Sequence, residues 1–298
     1  MTRTPVISLR DVRKSYKAFE LGPINLDAQP GFVIAIVGPN GGGKSTLFGM
    51  LMNLIKPTSG EISLFGGSYP RDEVAIRQKI GYAPERPSGY DGLSPKALRE
   101  VVSHFYPRWD QRFYEDLLER VAVEPDEKFG ELSEGTRRRL TFALAAATGS
   151  ELLLLDQPTA GLDPFARREI FDGVSRFMAD GRHGDRTVVF TTHVMEEVRR
   201  IVDYVAFLVD GNLLGLFEKE ALLEGWKTFW LDGKPKSHVP GLVGVEGANP
   251  VRIVSDSPRE TAEALGAQNV RIIRSGALDL EEILSHLMRR REEGRFTT

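Results

Sequence analysis

Two short stretches carry residue types suited to polyphosphate chemistry. "GPNGGGKST" (Gly38 to Thr46) crowds glycines around one lysine and ends in two hydroxyls. Such glycines let successive backbone N–H groups turn inward on phosphate oxygens. A lysine can then reach the terminal phosphates, and a serine hydroxyl can ligate Mg²⁺. "ELLLLDQP" (Glu151 to Pro158) runs four leucines into Asp156 and then Gln157. A carboxylate at the carboxyl end of a buried strand can hold the hydration shell of Mg²⁺. The candidate phosphate-binding set is Gly38, Asn40, Gly41, Gly42, Gly43, Lys44, Ser45 and Thr46, with Ser45 and Asp156 for the metal. The bland alternative is a glycine-rich turn with a chance lysine. Against it stand the strand-like "VIAIV" before the loop and the helical pattern after it, the setting such a loop requires.

These residues need elements to hold them. Short β-type runs occur at "VISL", "PINLDA", "FVIAIVG", "GEISLFG", "KIGYAPE", "ELLLLD", "TVVFTT" and "YVAFLVDG". Helical periodicity follows over 44–55, 95–105, 111–121, 134–148, 164–179 and 194–202. Buried strands alternating with helices predict an α/β domain with a largely parallel core sheet. The polar, alternating strands before Gly31 and around Glu61 read as antiparallel and more exposed. Composition shifts near Glu218. Beyond it, two helical patterns (258–267 and 280–290) lie among short β runs, which predicts a small α+β appendage. The expected domains are 1–217 and 218–298, with a helical subdomain over about 86–150. In the last helix Leu280, Ile283, Leu284, Leu287 and Met288 form an apolar stripe. Packing onto its own small domain is the plainer reading, and a dimer or regulatory contact the sharper one.

Composition narrows the function. The chain has 298 residues, 41% hydrophobic and 27% charged, enough to bury a core. A net charge of −3 gives no electrostatic case for nucleic acid. Cysteine is absent, which excludes disulfides and cysteine-based metal or redox chemistry and fits a cytoplasmic setting. No apolar signal core opens the sequence and no apolar run approaches 18 residues, so a membrane role is expected through a partner.

Further motifs follow in a fixed order. "LSEGTRRRLTFALA" (Leu132 to Ala145), "AGLD" (Ala160 to Asp163) and "TTHVMEE" (Thr191 to Glu197) succeed the phosphate loop, with "GYAPE" (Gly81 to Glu85) between. Together they resemble the nucleotide-binding subunit of ABC transporters over residues 5 to about 217, most of the chain. The resemblance implies a P-loop NTPase: an α/β RecA-like core, an antiparallel β subdomain and a helical subdomain. It implies ATP and Mg²⁺ as ligands. It also implies a homodimer, or a paired ATPase subunit, sandwiching two ATP beneath an integral membrane transporter subunit, with the chain peripheral on the inner face of the membrane. By this resemblance Tyr16 stacks on adenine, Glu85 stands near Mg²⁺ in the Q-loop, and Ser133 and Gly135 form the signature that meets the other subunit's ATP. Asp163 belongs to the D-loop, and His193 contacts the γ-phosphate.

Several of these residues have ordinary readings too. Ser133 and Asp163 can be helix N-caps, His193 a satisfied surface histidine, and Tyr16 an aromatic packed under a loop. Arg137, Arg138 and Arg139 read as a solvated helix face. In "HFYPRWD", packing is the default for Phe105, Tyr106 and Trp109.

Three positions depart from the commonest family pattern. Glu85 replaces the Q-loop glutamine. Thr136 replaces the last signature glutamine, with Glu134 ahead of Gly135. Gln157 replaces the glutamate that polarises the attacking water. An amide has nearly the shape of a carboxylate and far less basicity. The rest of the catalytic set is present, which favours a single engineered Glu-to-Gln change over a naturally decayed site. Chromosome-structure ATPases insert coiled coils between the two Walker elements, whereas only about 110 residues intervene here. Translation-factor relatives carry two nucleotide domains, and an adenylate-class kinase lacks the signature. The Glu85 variant, the "HFYPRWD" stretch and the appendage look similar to type-2 exporters of Gram-positive bacteria, which handle peptides, drugs or lipids. An importer subunit and an ATP-dependent sensor are the alternatives.

Overall fold

The carboxyl ends of three neighbouring strands finish side by side, and this places the chemistry. The computed structural model describes residues 3–121, 123–124, 126–181, 185–248 and 250–292. The chain divides into two units, Met1–Leu216 and Phe217–Thr298. The two expected domains start and finish on residues, 1–2 and 293–298, outside the described ones.

In the first unit, a six-stranded sheet runs β5(Ile80–Ala83), β6(Leu152–Asp156), β7(Thr187–Thr192), β3(Val33–Val37), β8(Tyr204–Val209) and β9(Asn212–Glu218). Pairing from β5 through β8 is parallel. Every residue of β3, β6 and β7 is buried, as continuous apolar runs require when a sheet is covered on both faces. Register aligns Asp156 with Thr191 and Val37 with Thr192, so the loops after β6, β7 and β3 leave from one edge. A second sheet, β2(Glu20–Ala28), β1(Ile7–Ser15) and β4(Ser59–Leu64), is antiparallel, as the alternating pattern predicts.

The helices start where the sequence expects and some end sooner. α1(Lys44–Leu51) stops four residues before Ile55. Asn53 turns left-handed at φ 52, and the N–H groups of Leu54 and Ile55 both close back on the Gly49 carbonyl. A five-residue helix, α2(Glu73–Arg77), lies where no periodicity is evident. α3(Pro95–Phe105), α4(Gln111–Val121) and α5(Glu134–Ala146) form the helical region. Ser94 caps α3 by accepting from the Ala97 N–H at 3.3 Å. α6(Pro164–Ala179) and α7(Met195–Ile201) follow β6 and β7.

The second unit contains α8(Lys219–Glu224) and an antiparallel sheet ordered β11(Leu242–Glu246), β12(Val251–Ser255), β10(Lys227–Leu231) and β13(Ile272–Ala277). Phe229, Leu231, Val251, Ile253, Leu265 and Val270 make its core, Leu265 coming from α9(Pro258–Ala267). In α10(Leu280–Glu292), Leu280, Ile283 and Leu287 are buried, and His286 stacks on Trp226. Arg252 pairs with Glu282 of this helix. Through His286 and Glu282, α10 is tied to the segment after α8 and to β12 of its own unit.

Gly81 shows how closely α5 seats on β5. A Cβ there would lie 2.3 Å from the Ala145 carbonyl oxygen, a backbone atom that cannot swing aside. Gly81→Ala is expected to destabilise the first unit by about 1–3 kcal/mol through overpacking. Urea unfolding checks this, and an unchanged midpoint would contradict the close seating.

Candidate functional site

The phosphate loop is built from glycines that the backbone needs. Gly41 and Gly43 have φ of 80° and 102°, a region other residues seldom enter. Gly38 passes so near β8 that a Cβ would fall 1.9 Å from the Leu208 carbonyl oxygen. Around Gly41 no atom lies within 4 Å of where a Cβ would stand, so the loop has an open side there.

Lys44, the first residue of α1, is 4% exposed. Its ammonium donates to the carbonyl oxygens of Gly38 (2.9 Å) and Pro39 (2.8 Å). Burial lowers its pKa, and the charges of Asp156 and Glu85 pull it back up. Among the described residues no carboxylate comes within ion-pair distance of it. A buried cation with one donor still unassigned, beside the N–H groups of a glycine loop at a helix start, fits a phosphate anion.

Asp156 ends β6 and is 3% exposed. The Thr191 hydroxyl of β7 donates to its Oδ1 at 2.6 Å, and the same hydroxyl accepts from the Gln157 N–H at 2.9 Å. Among the described residues no group of three or more His, Cys, Asp or Glu forms a metal cage. Mg²⁺ is commonly held by one or two carboxylates together with substrate phosphates, and Ser45, Asp156 and Glu85 suit that donor set. Lys44, Ser45, Thr46, Glu85 and Gln157 line one cavity of about 370 Å³ with Asn40, Gly41 and Gly43.

Gln157 takes a left-handed backbone, φ 47, unusual outside glycine. It also lines a smaller cavity of about 90 Å³, shared with Thr159, Gly161, Arg167 and His193. Gln157 thus sits between the lysine side and the histidine side. The histidine loop is pinned by Glu197, which is 2% exposed. Its carboxylate accepts from Thr159 Oγ1 (2.5 Å) and Thr192 Oγ1 (2.6 Å), and Arg167 Nε lies 3.8 Å away. Thr191 and Glu197 were not apparent as site residues from sequence. Their signal was only their place in the histidine segment.

Ser133, Gly135 and Asp163 lie apart from the lysine cavity. Ser133 caps α5, its Oγ accepting from the Thr136 N–H at 3.1 Å, and Gly135 sits in the first turn. Asp163 caps α6, its Oδ1 accepting from the N–H groups of Phe165 (2.8 Å) and Ala166 (3.1 Å). Those bonds lower the Asp163 pKa. In the single chain both residues act as helix caps, and their exposed faces are open to a second molecule. The Thr136 hydroxyl lies 2.7 Å from Ser133 Oγ at the start of α5.

Tyr16 does not line the lysine cavity. It is 47% exposed, and the Lys14 ammonium lies 5.4 Å from its ring centroid. Phe19 lines the cavity instead: its ring would be 3.1 Å from a Cβ on Gly43. The Tyr16 N–H donates to the Phe19 carbonyl, so one tight turn carries both aromatics. The signal for Phe19 was a second aromatic three residues along "YKAF".

The arginine run is not a solvated face. Arg137 donates to the carbonyls of Leu132 and Gly130 and stacks over Phe129. The Arg138 side chain is 9% exposed, and Arg139 pairs with Glu169. Arg137 and Arg138 hold loop carbonyls, and Arg139 ties α5 to α4 and α6.

Comparison with known proteins agrees with this geometry. The family model described as ABC transporter matches residues 21–160. The Nod factor export ATP-binding protein I of Burkholderia orbicola (strain AU 1054) is 34% identical over 228 residues, 73% of this chain and 72% of the relative. The ABC transporter ATP-binding protein YtrB of Bacillus subtilis (strain 168) is 28% identical, covering 74% of each. Among solved structures, the dimeric bacterial ABC transporter cassette MJ0796 matches with a TM-score of 0.60 and 26% identity, over 71% of this chain and 98% of that one.

Phe19→Ala is expected to weaken ATP binding about tenfold or more, as loss of a base–aromatic stack does. Tyr16→Ala should cost less than about threefold. Titration with a fluorescent ATP analogue checks both, and the reverse ranking would return the stacking role to Tyr16.

Proposed function

The chain belongs to the ABC transporter ATP-binding family, and from that premise we propose that it is the ATPase subunit of an exporter, acting as a sandwich dimer on a separate membrane subunit. The observation that carries this reading is the convergence of Lys44, Asp156 and Gln157 at the aligned ends of β3, β6 and β7. Lys44 and the loop N–H groups bind and neutralise the terminal phosphates of ATP. Ser45, Asp156 and Glu85 would hold Mg²⁺, which when bound spreads phosphate charge and orients the phosphates. Ser133 and Gly135, at the positive start of α5, serve the ATP of the other chain, and Asp163 approaches the same interface. His193 contacts the γ-phosphate side of Gln157.

Gln157 stands where a general base acts. Its amide can orient a water through hydrogen bonds but accepts no proton, so this chain binds ATP and hydrolyses it slowly. The intact remainder of the site favours a single Glu-to-Gln change.

Residues 1–217 form the catalytic cassette and 218–298 an accessory α+β domain, a division supported by the unit boundary after Leu216. No described helix is long and apolar enough to cross a membrane, so transport requires a membrane subunit. An apolar cavity of about 510 Å³ on the helical region is lined by Val74, Val101 and Phe105, which are 71%, 51% and 65% exposed. A helical segment of the membrane subunit seats there. Tyr106 also lines this cavity and donates its hydroxyl to the Ile80 carbonyl, while Trp109 donates to Gln111. Export of a peptide, drug or lipid is the direction and cargo class, supported by the export named in the Burkholderia relative.

Single-turnover, magnesium-dependent hydrolysis tests the reading. Gln157→Glu should raise the rate by about 10²-fold or more, the usual worth of a general base. No rise with ATP still bound would sink the single-missing-base reading and implicate Thr136 and Glu134. In a separate test, Phe105→Asp should abolish co-purification with the membrane subunit while ATP binding stays unchanged.

A further inference from the structure

Arg138 lies one turn inside α5, the helix whose start carries Ser133 and Gly135. Its guanidinium leaves that helix and reaches the loop after β6. Nη1 donates to the main-chain carbonyl of Gln157 at 3.0 Å, and Nη2 donates to Glu134 Oε1 at 2.9 Å. The side chain is 9% exposed although Glu134 is 76% exposed. Nε is buried without a partner, a cost accepted to keep the guanidinium in this one orientation.

The Gln157 carbonyl also accepts from the Ala160 N–H at 3.2 Å, and its N–H is taken by Thr191. The main chain is thus held at both ends in a backbone region that costs about 1–3 kcal/mol for a residue other than glycine. Among the described residues, only Arg138 brings a hydrogen bond to this peptide from the helical region. Thr191 and Ala160 belong to the strand neighbour and to the loop itself.

We propose that Arg138 is a positioning residue for hydrolysis: it fixes the backbone that aims the side chain at position 157 of its own chain. This rests on the sandwich reading above, and it gives α5 two duties. The helix start faces the ATP of the other chain, while Arg138 one turn later holds the catalytic position of its own. Glu134, in the exposed first turn, orients the guanidinium that makes the link.

Mixed dimers separate these duties. One chain carries Gln157→Glu and Ser133→Arg, and the other carries Lys44→Ala. Neither homodimer has a complete site, so only mixed dimers hydrolyse, through the phosphate loop of the first and the signature of the second. Arg138→Met keeps the apolar stem and removes the donors. Placed in the first chain, it should lower kcat about tenfold with KM changed less than about twofold, the pattern of lost positioning rather than lost binding. Arg138→Lys in the same chain should recover part of that rate. Placed in the second chain, Arg138→Met should leave the rate within about twofold.

An effect confined to the second chain, or equal from both, overturns the proposal. Hydrogen exchange on the single chain provides a readout independent of turnover. Arg138→Met should speed exchange over residues 156–162 and leave α5 protected; unchanged exchange in that loop, or loss of protection throughout α5, also overturns it. If mixed dimers carrying Arg138 show no hydrolysis, the sandwich reading fails, and the exchange result still decides whether Arg138 holds the loop.

Discussion

The site depends on a lysine ammonium kept almost wholly out of water without a carboxylate to neutralise it. Removing such a charge from solvent costs several kcal/mol even after relaxation. Two backbone carbonyls return part of that, and Asp156 and Glu85 contribute from a distance. The remainder is a standing demand for an anion. Every nearby feature serves the demand. The glycines bring N–H groups to the same space, α1 points its positive end there, and the missing Cβ of Gly41 leaves the approach open. The aligned strand ends then set the distance between this cation and the acidic side of the site.

The single chain is incomplete on chemical grounds. Ser133 and Asp163 are satisfied as caps, and neither lines the lysine cavity. Capping and anion binding use the same helix-start groups, so a cap on an exposed helix start remains available to an incoming phosphate. On the sandwich reading proposed above, two chains are needed before lysine and signature meet across one nucleotide. Any device that lets one composite site sense the other must then run through a chain that contributes to both. On that reading α5 is such a route, because its start serves the other chain's nucleotide while Arg138, one turn later, holds Gln157 of its own chain.

Much of this was legible in sequence where a function occupies consecutive residues. The phosphate loop declares itself because glycines, lysine and hydroxyls must be adjacent to surround a phosphate. The parallel sheet shows in runs such as "LLLLD", where burial on both faces removes any alternation. Helix ends were less legible: α1 stops at Leu51 because Asn53 and Gly49 close it, a tertiary turn that apolar periodicity does not register. Contacts between distant residues were hidden altogether. Thr191 to Asp156, Glu197 to Thr159, and Arg138 to Gln157 span 35, 38 and 19 positions. A run of three arginines has the composition of a solvated face, and only the folded surroundings show that each guanidinium has a carbonyl to hold. The family resemblance singles out Tyr16 in the sequence; that the Phe19 ring turns toward the loop is seen only in the folded turn that carries both.

The left-handed backbone at Gln157 explains why an amide can occupy this position without disturbing the site. Its strain is balanced by bonds to the N–H and the carbonyl, from Thr191, Arg138 and Ala160, and none of these involves the side chain. Glutamine and glutamate differ little in volume, so either can project from the same clamped peptide. What changes is charge. With glutamate, a third carboxylate would stand among Asp156, Glu85 and the phosphates, and their mutual repulsion would oppose the bound state. With glutamine, that repulsion falls while the lysine and the loop amides keep their full attraction. On the proposed reading, the same clamp that aims a base when one is present leaves, in this chain, a site biased toward holding ATP.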